Sequence, residues 1–93
     1  MEKITKFLKN ISEEKGFDFF MCEKKGEIWV TGYKERVKFD LFVKPVKRHQ
    51  ILIIYEKPDE RKVALFSNKI EAHKRLKKIF SKEKEAIEET VSV

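Results

Sequence analysis

A chain of 93 residues with a formal net charge of +6 has room for one domain and one modest core. Its single cysteine, Cys22, excludes an internal disulfide and a cysteine-based metal site, and no apolar run approaches the ~20 residues of a membrane-spanning helix. Residues 1–10 set Lys3, Lys6 and Lys9 between isolated apolar residues, which is no signal peptide, so the expected location is cytoplasmic.

Ile4, Phe7, Leu8 and Ile11 recur at i, i+3, i+4, i+7 and predict a helix over 2–15. Gly16 is its natural stop, because glycine enters the left-handed conformation freely. Aromatic and β-branched runs then predict strands over 17–23 and 27–31, joined by a turn at 24–26. A second turn is expected at Gly32-Tyr33-Lys34. Val37, Phe39, Leu41 and Val43 alternate with Lys38, Asp40, Phe42 and Lys44, the clearest period-two pattern in the chain, and Pro45 ends it. After a basic connection at 46–50 come a near-continuous apolar strand over 51–56, a turn at 57–60 and a last strand over 61–66. Asn68 is a good N-cap, and Glu71 three residues on completes a capping box for a second helix. Ala72, His73, Leu76 and Phe80 share its apolar face, with Ile87 a further candidate. The order predicts one α+β domain over 1–93, two helices packed on one face of an antiparallel sheet of about five strands, with 84–93 a frayed acidic end.

Charged residues make up 41% of the chain, mostly Lys and Glu, and amides are few. Hyperthermophile proteins show that composition, and an AT-rich genome would also favour Lys, Ile and Phe. The charge is unevenly placed. Residues 67–82 carry Lys69, Lys74, Arg75, Lys77, Lys78 and Lys82 against Glu71, whereas 83–93 carry four glutamates against Lys84. On a helix Lys74, Lys78 and Lys82 stack at i, i+4, i+8 with Arg75 beside them. A polyanion would relieve their mutual repulsion, with affinity from counterion release. A solvated face of a Lys-rich chain has the same look. A second basic segment, 34–50, holds Lys34, Arg36, Lys38, Lys44, Lys47 and Arg48 against Glu35 and Asp40.

If the alternating strand turns Phe39 inward, Phe42 points outward, and Phe20, Cys22 and Trp29 join it on the outer face, with Tyr55 a further candidate. Aromatics flanked by Lys can stack unpaired bases. Such a face is also covered by a symmetric partner or by the chain's own loops, and an exposed aromatic patch is at least as often a dimer interface. His73 reads as a packed boundary residue and His49 as part of a basic loop. Asp40 and Glu56 resemble the start of an Asp…Glu-x-Lys nuclease constellation, but Pro58 stands where its lysine belongs.

Residues 67–74 (Ser-Asn-Lys-Ile-Glu-Ala-His-Lys) resemble the Lys-rich entry to the second helix of double-stranded RNA-binding domains, which also place helices around an antiparallel sheet. The resemblance implies phosphate contacts from Lys69 and Lys74. It covers eight residues, without the family's Gly-containing approach or Ala-rich helix interior, and the chain has extra strands. It therefore assigns no family, and shared element order does not carry function.

The expectation is a small basic non-catalytic nucleic-acid-binding module, with no cofactor or metal, contacting phosphates through Lys74, Arg75, Lys78 and Lys82, supported by Lys44, Lys47 and Arg48. The alternative is a homodimeric interaction subunit with no nucleic-acid role, joined through Phe20, Trp29 and Phe42.

Overall fold

The computed structural model describes residues 1–81. Their elements run α1 (Glu2–Lys15), β1 (Asp18–Cys22), β2 (Glu27–Lys34), β3 (Val37–Pro45), β4 (Ile51–Lys57), β5 (Glu60–Phe66) and α2 (Lys69–Phe80). The strands form an antiparallel meander in sheet order β1-β2-β3-β4-β5, with both helices on one face. This is the two-layer α+β arrangement the patterns predict. Lys82, Ile87 and the acidic end lie outside the described residues.

Gly16 closes α1 in the left-handed region at φ 77°, and the Phe17 N–H donates to the Ser12 carbonyl at 2.9 Å. That bond is the outer closure of a Schellman ending, and it delivers Phe17 toward the core. There the Phe17 ring meets Phe39 edge-on at 4.9 Å. At the other helix, the Asn68 side chain accepts from the Glu71 N–H at 2.9 Å, satisfying one orphan donor of the first turn.

One expected turn is misplaced. β2 continues through Gly32-Tyr33-Lys34, and the reversal comes at Glu35-Arg36, whose φ values of 54° and 69° suit a two-residue hairpin turn with both central residues left-handed. Gly32 has a different task. A Cβ there would stand 2.7 Å from Phe17 Cδ1, so the missing side chain admits the Phe17 ring. Inside a strand, glycine here marks a close approach.

The inner face of the sheet carries the core. Ile28, Val30, Phe39, Leu41, Val43, Ile51 and Ile53 are all buried against Ile4 and Leu8 of α1 and Ala72 and Leu76 of α2. Tyr55, a candidate for the outer face, is instead on this side: it pairs with Leu41 across β3–β4, and its ring lies 5.8 Å from Phe39. Burial raises its hydroxyl pKa. Ile4 shares a groove with Ile70 and His73, while Phe17 touches Phe80 at 5.8 Å, so the two helices run in the same direction.

Candidate functional surfaces

With Ala72 and Leu76 inward, α2 turns its cations to solvent over a wide arc, in the order Lys77, Lys74, Lys78, Arg75. Each flank of that arc borders a groove. On the α1 side, a groove of about 550 Å³ is lined by Lys3, Lys69, Lys74 and Lys77, with Glu2 as its one acid. On the β5 side, a groove of about 380 Å³ is lined by Lys34, Lys57, Lys62, Arg75 and Lys78, with Glu35 and Glu60. Lys57 pairs with Glu60 at 3.3 Å, which raises the lysine pKa through a side-chain hydrogen bond. Among the described ion pairs none neutralises Lys74, Arg75, Lys77 or Lys78. Arg75 lies over the Phe66 ring at 5.4 Å, which holds its guanidinium at the groove wall.

The two basic segments meet, though at other residues than those singled out. Lys34 is the residue of segment 34–50 that reaches α2: its Nζ donates to the Ile79 carbonyl at the helix C-terminus, where the exposed carbonyls favour a cation. Lys44, Lys47 and Arg48 are placed elsewhere. Lys44 projects from the sheet face away from the helices, its Nζ 6.0 Å from the Phe42 ring centroid. Lys47 and Arg48 sit exposed in the β3–β4 loop, closed by bonds from Val46 N–H to Gln50 O at 2.9 Å and from Gln50 N–H to Lys47 O at 3.2 Å. Lys82 falls outside the described residues. Lys34, read in the sequence only as a member of the second basic segment, and Lys62, which sequence reasoning did not single out, come to the groove through strand register, a signal that residue spacing along the chain does not hold.

The outer sheet face carries an exposed apolar row between flanking rows that include Asp40, Glu56 and Arg61 on one side and Glu27 and Lys44 on the other. Cross-strand pairing aligns Phe20, Trp29, Phe42, Ile54 and Val63 in one row across all five strands. Phe20 and Trp29 touch at 5.1 Å, and Trp29 stacks on Phe42 at 5.8 Å with ring planes 10° apart. Trp29 is 41% exposed and Phe20 50%, while Val63 and Leu65 are each 56% exposed. The exposed Cys22 lies on the same side of β1 as Phe20.

Asp40 and Glu56 are direct register partners on β3 and β4, yet each already faces a cation or donor. Asp40 accepts from Trp29 Nε1 at 3.1 Å and lies 3.7 Å from Lys38, while Glu56 lies 3.7 Å from Arg61. Burial alone would raise the Asp40 pKa, but hydrogen bonds from Thr31 and Trp29 and the charge of Lys38 bring it below its ordinary value. Among the described residues, no three His, Cys, Asp or Glu side chains converge as a metal site would need. His73 packs edge-on to Phe7 at 5.5 Å with Nε2 unpartnered, while His49 is exposed. No described helix is long and apolar enough to cross a membrane.

No family model, curated protein or solved structure matches this chain.

Proposed function

We propose that this protein is a non-catalytic module that binds the phosphate backbone of a nucleic acid through the outward arc of α2. The observation that carries the reading is the run Lys74, Arg75, Lys77 and Lys78, with no ion-pair partner among the described residues, between two grooves whose facing walls carry Lys3 beside Glu2 and Lys34, Lys57 and Lys62 beside Glu35 and Glu60. Four clustered ammonium and guanidinium groups repel one another, and a row of phosphates removes that repulsion while releasing its own counterions. Lys69, Lys3 and Lys62 extend the same surface on either side. Lys44, on the opposite sheet face, and Lys47 and Arg48, in the β3–β4 loop, lie apart from it. A cytoplasmic setting fits the lone exposed Cys22, which a reducing compartment keeps as a thiol.

The test is binding to a duplex oligonucleotide across a salt series. Four phosphate contacts predict a slope of log K against log salt of roughly −3 to −4, and Lys74→Ala or Lys78→Ala each reduces it by about one. A slope near zero, or no binding at low salt, overturns the reading.

A further inference from the structure

We propose that the outer sheet face is closed by a second copy of this chain, in an isologous face-to-face dimer whose two-fold axis runs along the row Phe20–Trp29–Phe42–Ile54–Val63. A five-stranded sheet with a packed inner face and an exposed apolar row across its outer one is half of a sandwich, and that row is buried only against another layer. The composition of the row points to protein as that layer. Its β1–β3 half is aromatic, which bases could also stack on, but its β4–β5 half is aliphatic, with Leu52 and Leu65 beside it. Aliphatic side chains offer no stacking plane to a base and pack well against other side chains.

The charges on β3 fit a second copy in particular. Phe42 is flanked on the same face by Asp40 two residues before it and Lys44 two residues after it. A two-fold axis passing over Phe42, perpendicular to the strand, reverses that order in the second copy. Lys44 of one chain then lies over Asp40 of the other, twice per dimer, while Trp29 meets Trp29 and Val63 meets Val63. Aligned sheets cross at ~30°, which at ~7 Å from the axis displaces the Lys44–Asp40 pair by only ~3–4 Å, within a lysine's reach. Area is sufficient as well. Five strands ~4.8 Å apart, each about seven residues long at ~3.3 Å per residue, present roughly 550 Å² in projection. Corrugation brings this close to the ~800 Å² per partner of a standard interface. The arrangement leaves both α2 surfaces facing outward on opposite sides, so it stands independently of the phosphate-binding reading.

The experiment measures solution mass by light scattering across a dilution series, alongside the emission of Trp29, the only tryptophan. Wild type is expected to run at twice the chain mass, with Trp29 emission shifting to the red on dilution. Lys44→Asp and Asp40→Lys, each checked for folding by circular dichroism, should weaken self-association by about tenfold or more through like-charge contact. Mixing the two folded variants should restore the dimer, because each then supplies the charge the other lacks. Trp29→Ala gives a second, uncharged test, and should shift the chain toward monomer. A monomeric wild type throughout the series overturns the proposal. So do variants that stay dimeric, or folded variants that fail to recover on mixing. Quenching of Trp29 by a single-stranded oligonucleotide on a monomeric chain would assign the face to bases instead, and would equally overturn it. Trp29→Ala removes no charge and lies on the face opposite α2, so the salt dependence of oligonucleotide binding is expected to be unchanged in that variant.

Discussion

The two faces of β3 are built on one backbone and meet different fates. Phe39, Leu41 and Val43 are fully buried beneath α1 and α2. On the other side no described helix lies above Asp40, Phe42 and Lys44, and Trp29 beside Phe42 keeps 41% of its surface. Alternation sorts residues into two sets, but it does not say which set will find a partner inside the same chain. Two helices are enough to cover one face of five strands. The apolar row on the other face is then a demand that the fold itself leaves unmet.

The contrast is broken most directly by removing one ring from each face. Phe39 touches Phe17, Tyr55 and Phe80 at 4.9, 5.8 and 5.9 Å, so Phe39→Ala is expected to cost about 3–5 kcal/mol, with cavity and transfer terms both contributing. Phe42→Ala, measured by urea denaturation in dilute protein, should cost no more than about a third of that, because its ring has no covering layer there. Its cost should grow with protein concentration if a second copy supplies that layer. Equal losses for the two substitutions in dilute protein would erase the distinction between the faces.

Much of the inner face was legible in the sequence. Helix α1 is found where the spacing of Ile4, Phe7, Leu8 and Ile11 puts it, Gly16 and Asn68 work as stop and cap, and β3 alternates as written. What could not be read depends on pairing. The run Ile51-Leu52-Ile53-Ile54-Tyr55 is apolar on both faces, so its parity comes only from register with β3, and that register sends Tyr55 inward opposite Leu41. The outer row draws one residue from each of five strands, and no spacing along the chain announces it. The same holds for the candidate phosphate surface. Lys74, Arg75 and Lys78 follow from helical geometry, whereas Lys34 and Lys62 reach that groove through hairpin register.

A smaller effect sharpens the account of how the inner face closes. Gly32→Ala places a methyl group 2.7 Å from Phe17 Cδ1 on the covered side of β2, at a position where the backbone itself would accept alanine. The expected loss is about 1–3 kcal/mol, typical of overpacking. Phe17→Leu should return part of it in the double variant, since the smaller side chain can yield. Additive losses in that double-mutant cycle would show that the Phe17 ring is not what requires glycine.

The smallest effect lies at the rim of the helix layer, where covered and open surfaces meet. His73 on α2 is packed against Phe7, and the charges that act on it are Lys77 from its own helix and Lys3 from α1, with Glu2 the one acid lining the same groove. Partial burial, then Lys77 and Lys3, lower its pKa. The unfolded chain therefore binds a proton more readily than the folded one, and stability rises with pH across this window. The contribution is complete above about pH 6.5, the ordinary histidine value, and is lost as pH falls from there toward the folded-state value. Because His73 sits at the rim of the helix layer and not in the core, the loss between about pH 7 and 5 is expected to be smaller than that of either packing variant above. Asp40 titrates below that range, since its hydrogen bonds depress an already acidic group. Thermal unfolding at both pH values should show the His73→Phe variant losing part of the wild-type slope. A variant that keeps the full slope would show that packing at the rim does not disfavour the charged imidazole.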